Sequence, residues 1–291
     1  MTLYVVTVAT HSQFYFPYLI ESCKKNGYEL VVLGYGEKWK GFTWRFKLVI
    51  EFLKSLKKND IVCFIDGFDV IVTRNLKHLE NDFLQLRKEH NCKIIIGEHK
   101  IIENNYFLKI NKLIANIYFG KCKDLLLNAG TYIGEAQDLL DILLKIYNKF
   151  TIDDSDDQIL LTKYCNLYPN DIYIDTNNQL FLTLELPYGE IDKYLEFDKL
   201  GIKYNNNYPF FIHGPGQTYL DNLIIKMNYN YDHNNKVKDQ IFNDIFKRII
   251  FYCKKNKKYF IILIFIIIFI LIFSYRKVLF SKKILKNLRF Y

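Results

Sequence analysis

The sequence predicts an α/β fold: a mostly parallel central sheet flanked by helices, with a transmembrane helix near its carboxyl end. Three observations carry this. Strand-like apolar runs and helix-period segments alternate through the first half of the 291-residue chain, the pattern of a largely parallel sheet covered by helices. The apolar run Ile61–Ile65 ends in Asp66-Gly67-Phe68-Asp69, which puts two carboxylates where open α/β sheets hold their ligands. Beyond Asp244 the chain has no acidic residue, and Tyr259–Tyr275 is almost wholly Ile, Leu and Phe.

The elements follow in order. Leu3–Val8 reads as a strand. Pro17–Lys25 reads as a helix that stops at Asn26-Gly27, a common helix terminus. Glu29–Leu33 is a second strand. Trp44–Leu56 places Trp44, Leu48, Val49, Phe52, Leu53 and Leu56 at a helical period. The strand Ile61–Ile65 follows, then a helix over Leu76–Leu86 and a short strand over Lys93–Ile96. Lys100–Cys122 shows no clear assignment and reads as a flap. Leu127–Gly134 has small residues at its centre and reads as a tight turn with a short strand. Leu139–Tyr147 is a helix. Asp153-Asp154-Ser155-Asp156-Asp157 opens another helix, Gln158–Cys165, and carboxylates are favourable at a helix amino terminus. Phe210–His213 is a last strand that runs into Gly214-Pro215-Gly216. Gln240–Phe251 reads as a linker helix. The expected division is a body over 1–228, a linker with a basic helix over 229–258, a span over 259–275 and a basic tail over 276–291.

The net charge of +9 is concentrated at one end. Twelve basic residues lie beyond Asp244, which leaves 28 basic against 31 acidic residues in the body. A nucleic-acid binder carries its positive charge on the folded domain, so this balance excludes that class and points to a membrane. At 1.5 Å per residue the seventeen residues of Tyr259–Tyr275 span about 25 Å, close to a hydrocarbon core of roughly 30 Å. Tyr at both ends, with lysines outside, have the character of interface anchors. Strand-like sequence begins at Leu3, without a charged leader and apolar core, so a span inserted after synthesis and a cytosolic body are expected. The six cysteines are scattered with no CxxC pair, and all are expected to be reduced.

The chemistry is read from three places. Asp66 and Asp69 are hard oxygen donors suited to Mg²⁺ or Mn²⁺, although Asp and Gly are also ordinary turn residues. His213, before a Gly-Pro-Gly turn, can complete such a ligand set. Asp156 or Asp157 could act beside a sugar, deprotonating an acceptor hydroxyl or stabilising a cationic sugar; as a helix cap the pair would need no further role. Thr7-Val8-Ala9-Thr10 stands where a G-x-G-x-x-G would follow the first strand, which disfavours a dinucleotide-binding domain.

Six motifs occur in an order that resembles a known family. They are Thr7-Val8-Ala9-Thr10, Leu33-Gly34-Tyr35-Gly36-Glu37-Lys38-Trp39, Asp66-Gly67-Phe68-Asp69-Val70, Asn128-Ala129-Gly130-Thr131-Tyr132-Ile133-Gly134, Asp156-Asp157-Gln158 and His213-Gly214-Pro215-Gly216. Over residues 3–225 they resemble the glycosyltransferase domain of the procollagen lysyl hydroxylases and, more distantly, the procollagen galactosyltransferases. The resemblance implies a Rossmann-like GT-A fold that moves glucose or galactose from a UDP-sugar to a hydroxyl of a protein or glycan. It implies Mn²⁺ held by Asp66, Asp69 and His213, and Asp156 and Asp157 beside the sugar and acceptor. Donor contacts are implied for Thr7, Val8, Trp39, Lys47, Phe68, Glu98, Asn128, Gly214 and Gly216. The chain also departs from the pattern. Phe68 replaces a stacking tyrosine, Pro215 replaces an asparagine, and Lys40-Gly41-Phe42-Thr43-Trp44 replaces a glycine-rich segment. Those departures sustain an alternative, a catalytically inactive membrane-tethered binding or scaffold protein. A metal-dependent nucleotidyl- or phosphotransferase would use similar carboxylates.

Overall fold

The computed structural model describes residues 1–150, 156–234, 236–241 and 243. A compact unit runs from Met1 to Lys238. Its elements are β1 (Leu3–Val8), α1 (Phe16–Lys25), β2 (Leu30–Leu33), α2 (Phe42–Lys54), β3 (Ile61–Ile65), β4 (Val70–Val72), α3 (Leu79–His90), β5 (Ile94–Ile101), α4 (Tyr106–Phe119), β6 (Leu127–Glu135), α5 (Ala136–Phe150), α6 (Asp157–Leu167), β7 (Ile172–Asp175), β8 (Phe181–Glu185), β9 (Glu196–Asp198), β10 (Gly201–Lys203), β11 (Phe211–His213) and α7 (Asp221–Lys226). Nine strands form one sheet in the order β2-β1-β3-β6-β5-β8-β11-β4, with β7 beside β5; β9 and β10 form a separate hairpin.

The sheet is mixed. Following the pairings across it, seven strands run one way, and β6 and β4 run against them. Alternate side chains of a strand face opposite sides, and the sequence obeys this. Val62 and Phe64 of β3 enter a core with α2, α5 and α6. Ile61, Cys63 and Ile65 enter a second core with α1 and α3. Burying both faces requires the continuous apolar runs seen in β1 and β3.

The last stretch of the unit is pinned by one carboxylate. Asp221 accepts from the hydroxyls of Tyr15 and Tyr231. The Tyr15 oxygen accepts the Leu220 backbone N–H at 2.9 Å, and the Tyr231 oxygen accepts that of Val237 at 3.1 Å. Burial, then the Asp221 charge, push both phenols upward, so they stay neutral donors.

Three expectations change. Leu127–Gly134 is not a tight turn with a short strand: it lies within the nine-residue strand β6. Lys100–Cys122 is not a flap: it holds the end of β5 and the fourteen-residue α4. Nor are all six cysteines reduced, because Cys122 and Cys165 form a disulfide with Cα atoms 5.9 Å apart. A turn closed by Cys122 and Leu125 through mutual backbone bonds of 2.9 Å brings Cys122 to α6. Cys23, Cys63 and Cys92 are free and buried. Among the described residues no helix is long and apolar enough to cross a membrane. The expected span Tyr259–Tyr275, most of the expected linker helix, Cys253, Asp153 and Asp154 lie outside the described residues.

The bridge joins residues 43 apart, a loop length at which a disulfide contributes about 3–4 kcal/mol. Alkylating the denatured protein before and after reduction, with peptide mass mapping, should show Cys122 and Cys165 modified only after reduction. Cys122→Ser should lower the unfolding free energy by a similar amount in a denaturant titration.

Candidate active site

Two backbone bonds and one strand pairing bring three short segments to one end of the sheet. Asp66, directly after β3, donates its N–H to the Gly130 carbonyl of β6 at 2.8 Å. Gly214, directly after β11, donates to the Asp69 carbonyl at 2.9 Å. His213 pairs with Val70 across β11 and β4. One ligand atom from each of Asp66, Asp69 and His213 then falls within 4.8 Å of the others.

The tautomer of His213 follows from its neighbours. Asn128 Oδ1 accepts the Gly130 N–H at 2.9 Å, so it is the carbonyl oxygen. His213 Nδ1 lies 3.0 Å from that oxygen and must be the donor. In the neutral ring Nε2 therefore carries its lone pair toward Asp69 Oδ1 at 3.2 Å and Asp66 Oδ2 at 3.7 Å. Only a proton or a cation relieves three converging lone pairs. Burial opposes protonation of His213, but the Asp69 and then Asp66 carboxylates outweigh it and raise its pKa. Two carboxylates and an imidazole with its second nitrogen anchored fit a divalent cation of the Mn²⁺ type. Gly130 makes the space: a Cβ there would stand 2.4 Å from Asp66 Oδ2 and 2.5 Å from His213 Cε1.

A cleft of about 340 Å³ lies against this cluster, between α2, α4, α6 and the ends of β5, β6 and β8. The buried Arg45 of α2 pairs with Asp66 on one side and Asp157 on the other. Asp156 caps α6 by accepting the Gln158 N–H at 2.9 Å. Burial raises the Asp156 carboxyl. On the cleft floor Glu185 Oε2 meets His99 Nε2 at 2.7 Å, and Oε1 accepts from Asn111 of α4 at 2.7 Å. Burial opposes the Glu185 charge, yet the bonds from His99 and Asn111 hold its carboxyl below the usual range. A larger cavity of about 630 Å³ sits by Thr73 and Arg74, at the far end of β4 from Asp69. The ligand cluster is at the smaller one, and the chemistry belongs there.

The structure brings most of the expected residues together. Asp66, Asn128, Asp156, Asp157, His213 and Gly216 line the cleft. Thr7 and Val8 end β1, and the buried Thr7 hydroxyl has no hydrogen-bond partner. A Cβ on Gly67 would lie 3.1 Å from that hydroxyl. Phe68 joins an aromatic group with His11 and Phe16, at ring distances of 6.0 and 6.1 Å. Trp39 is half exposed, edge-on to Phe42 and Trp44. Gly214 is buried, where a Cβ would meet Leu220 at 2.8 Å. Gly216 has φ +62° and packs on Glu185, where a Cβ would stand 2.6 Å from the carboxyl carbon.

Two placements differ from expectation. Lys47 lies on the exposed face of α2, and the basic side chain in the cleft is Arg45. Glu98 pairs with Lys100 at 3.3 Å and lies outside the cleft. A register shift between Ile96 and Glu98 gives His99 the face that unbroken alternation would give to Glu98. Sequence reasoning also missed Glu185. Arg45 had a signal: it stands between Trp44 and Phe46 at the start of a helix.

Fold and cleft define an α/β domain with a cleft lined by charged side chains at the carboxyl ends of its strands. The family model described as the PLOD GT domain matches residues 1–240, and the chain belongs to this family of glycosyltransferase domains. The Drosophila melanogaster procollagen-lysine,2-oxoglutarate 5-dioxygenase is 27% identical over 237 residues, covering 75% of this chain and 31% of that protein. The Homo sapiens multifunctional procollagen lysine hydroxylase and glycosyltransferase LH3 is 26% identical over 247 residues, covering 75% and 30%. The chain thus spans about a third of the length of the curated relatives it matches. A solved glycosyltransferase involved in glycosylation of the major capsid of PBCV-1 has a TM-score of 0.41 and 12% identity, covering 73% of this chain and 92% of that one.

A divalent ion at this triad would require a neutral imidazole and would displace a proton from His213. Its pKa is raised, and affinity should therefore begin to fall above the ordinary histidine value of about 6.5 as pH drops. Calorimetric Mn²⁺ titration across pH should show this with proton release. In His213→Ala the affinity should fall tenfold or more and lose most of that pH dependence between pH 6 and 8. Gly130→Ala should weaken the ion by a similar factor, because its Cβ displaces Asp66 and His213.

Proposed function

We propose that this chain transfers glucose or galactose from a UDP-sugar to a hydroxyl acceptor. The observation that carries the reading is the convergence of Asp66, Asp69 and His213 beside a cleft walled by Asp156 and Asp157. In this reading the triad holds Mn²⁺, which supplies positive charge against the departing diphosphate. The aromatic group around Phe68, with Thr7 and Val8 nearby, takes the nucleoside; the ring stacks on the base without the hydroxyl of a tyrosine. Gly214 and Gly216 keep the turn after His213 close to the donor, and Asn128 orients His213.

The two aspartates divide the work. Asp157 is tied to Arg45, and a carboxylate held by a guanidinium is a weak base. It keeps Arg45 and, through it, Asp66 in position. Burial raises the carboxyl of Asp156, and the side chain lines the cleft. Asp156 is the better acceptor for the proton of an attacking hydroxyl.

A tether formed by Tyr259–Tyr275 holds this body at a membrane. The Cys122–Cys165 bridge favours an oxidising compartment over the reducing cytosol expected from the sequence. Protease added to sealed microsomes should leave the body intact, and complete digestion would place it in the cytosol.

The decisive assay measures UDP release and sugar transfer with UDP-glucose and UDP-galactose. Activity should require a divalent cation, and Asp66→Ala should abolish it while near-ultraviolet circular dichroism is retained. Asp156→Asn should keep UDP-sugar affinity within about threefold and lower kcat by 10²–10⁴, the usual range for a proton-transfer group. Asp157→Asn should in addition weaken Mn²⁺ binding and lower thermal stability. Full turnover in excess chelator would remove the metal from the proposal. Donor and metal binding without turnover would favour the inactive scaffold.

A further inference from the structure

The helix α4 is apolar on the wrong side. Only Leu108 and Ala115 of its fourteen residues are buried hydrophobics. Tyr106, Phe107, Leu113, Ile114, Ile117 and Tyr118 are exposed, Tyr106 at 80% and Ile117 at 76%. At 100° per residue these six occupy one arc of about 140°, opposite the side that carries Leu108 and Ala115. An ordinary surface helix turns such a stripe to the core. A contiguous exposed patch of this kind marks an interaction surface.

We propose that this face of α4 lies in the headgroup layer of a lipid bilayer, so that the active-site cleft opens at the membrane surface. The inference rests on the membrane tether proposed above. Three observations select lipid as the occupant. The chain continues past Lys238 into Tyr259–Tyr275, a run with no charged residue flanked by Lys257, Lys258, Arg276 and Lys277; twenty residues between Lys238 and Tyr259 leave the body within reach of the bilayer. The helix carries Lys109 and no acidic residue, which suits anionic headgroups; Lys112, on the opposite side, pairs with Glu103. Its exposed face carries Tyr106 and Tyr118, a residue type enriched at the membrane–water interface.

The same helix walls the cleft. Asn111 reaches Glu185 on the cleft floor, Ala115 and Phe119 line it, and Ile114 and Tyr118 line it from the edge of the exposed face. A bilayer under α4 would present acceptor hydroxyls of membrane-bound molecules to Asp156. The acceptor class that follows is a lipid-linked or membrane-anchored hydroxyl compound.

The test uses the full chain in phosphatidylcholine–phosphatidylserine vesicles that contain a phospholipid with a diazirine in its acyl chain. After irradiation, peptide mass mapping should find label both in 106–118 and in 259–275. Leu113→Glu with Ile117→Glu should cut the α4 label at least tenfold and leave the second label in place. Both side chains are exposed, so the fold should persist by near-ultraviolet circular dichroism; the corresponding Ser pair serves if it does not. Label confined to 259–275 would overturn the α4 placement and leave the tether standing. Label in neither segment would overturn both. Zero-length crosslinks between α4 helices of two copies, without lipid label on α4, would make the face a dimer contact and sink the proposal.

Discussion

The arrangement of the cleft depends on one buried guanidinium. Arg45 enters from α2 and meets Asp66 at the end of β3 and Asp157 at the start of α6. Its plane also lies over the Phe64 ring at 5.2 Å and the Phe42 ring at 5.5 Å. A charge taken out of water without partners costs several kcal/mol, so Arg45 is stable there only while both carboxylates face it. The converse also holds. Asp66, Asp69, Asp156 and Asp157 bring four carboxylates to one cleft, and like charges at 4 Å repel by about 4 kcal/mol at an effective dielectric of 20. One guanidinium offsets part of this. The remainder would favour a divalent cation at the vertex where Nε2 of His213 also points.

The sheet topology makes that vertex. A strand running against its neighbours begins where they end. Here β6 runs against β3 and β5, and β4 against β11. The beginnings of β4 and β6 therefore meet the ends of β3, β5, β8 and β11. Asp69 and Asn128 come from beginnings, while Asp66, His99, Glu185 and His213 come from ends. In an all-parallel sheet the ends alone would contribute. The antiparallel strands add a backbone to the site, and Gly130 is the point where it passes within contact of two ligands.

How much of this was legible depended on whether a residue's role followed from local pattern. Asp66 and His213 were readable because each ends an apolar run with strand character, and Asp69 as the second carboxylate three residues on; the strand it opens, β4, was not read from the sequence. Asp156 and Asp157 were readable as a helix start, although that alone could not separate a cap from a reactive group; Asp156 is in fact a cap. Glu98 and His99 were not separable, since a one-residue register shift exchanges faces and nothing in Ile94–Ile101 announces it. Lys47 and Arg45 are two apart on a helix, about 200° around it, so the choice between them needed the position of the strand ends. The Cys122–Cys165 pair had no sequence signal at all, because it joins a turn to a helix 43 residues on.

The misreading of Lys100–Cys122 has a different cause, and it bears on how the two halves of the site divide. A helix is recognised by an apolar stripe with a polar complement. In α4 the cleft is lined by Asn111 and Ala115 together with Ile114, Tyr118 and Phe119, so the greasy stripe runs from the cleft edge outward and leaves most of its area exposed. The pattern is helical, but it does not describe a helix on a water-facing surface. The Phe68 group stands instead with His11 and Phe16 at the β1 and α1 side. In the proposed reaction, donor recognition through an aromatic platform and acceptor access past α4 would come from different elements and meet only at the triad. Changes on α4 can then alter which hydroxyl is reached while the nucleoside side keeps its geometry. That separation lets a sugar-transfer domain be placed against a surface without rebuilding the part that holds the donor.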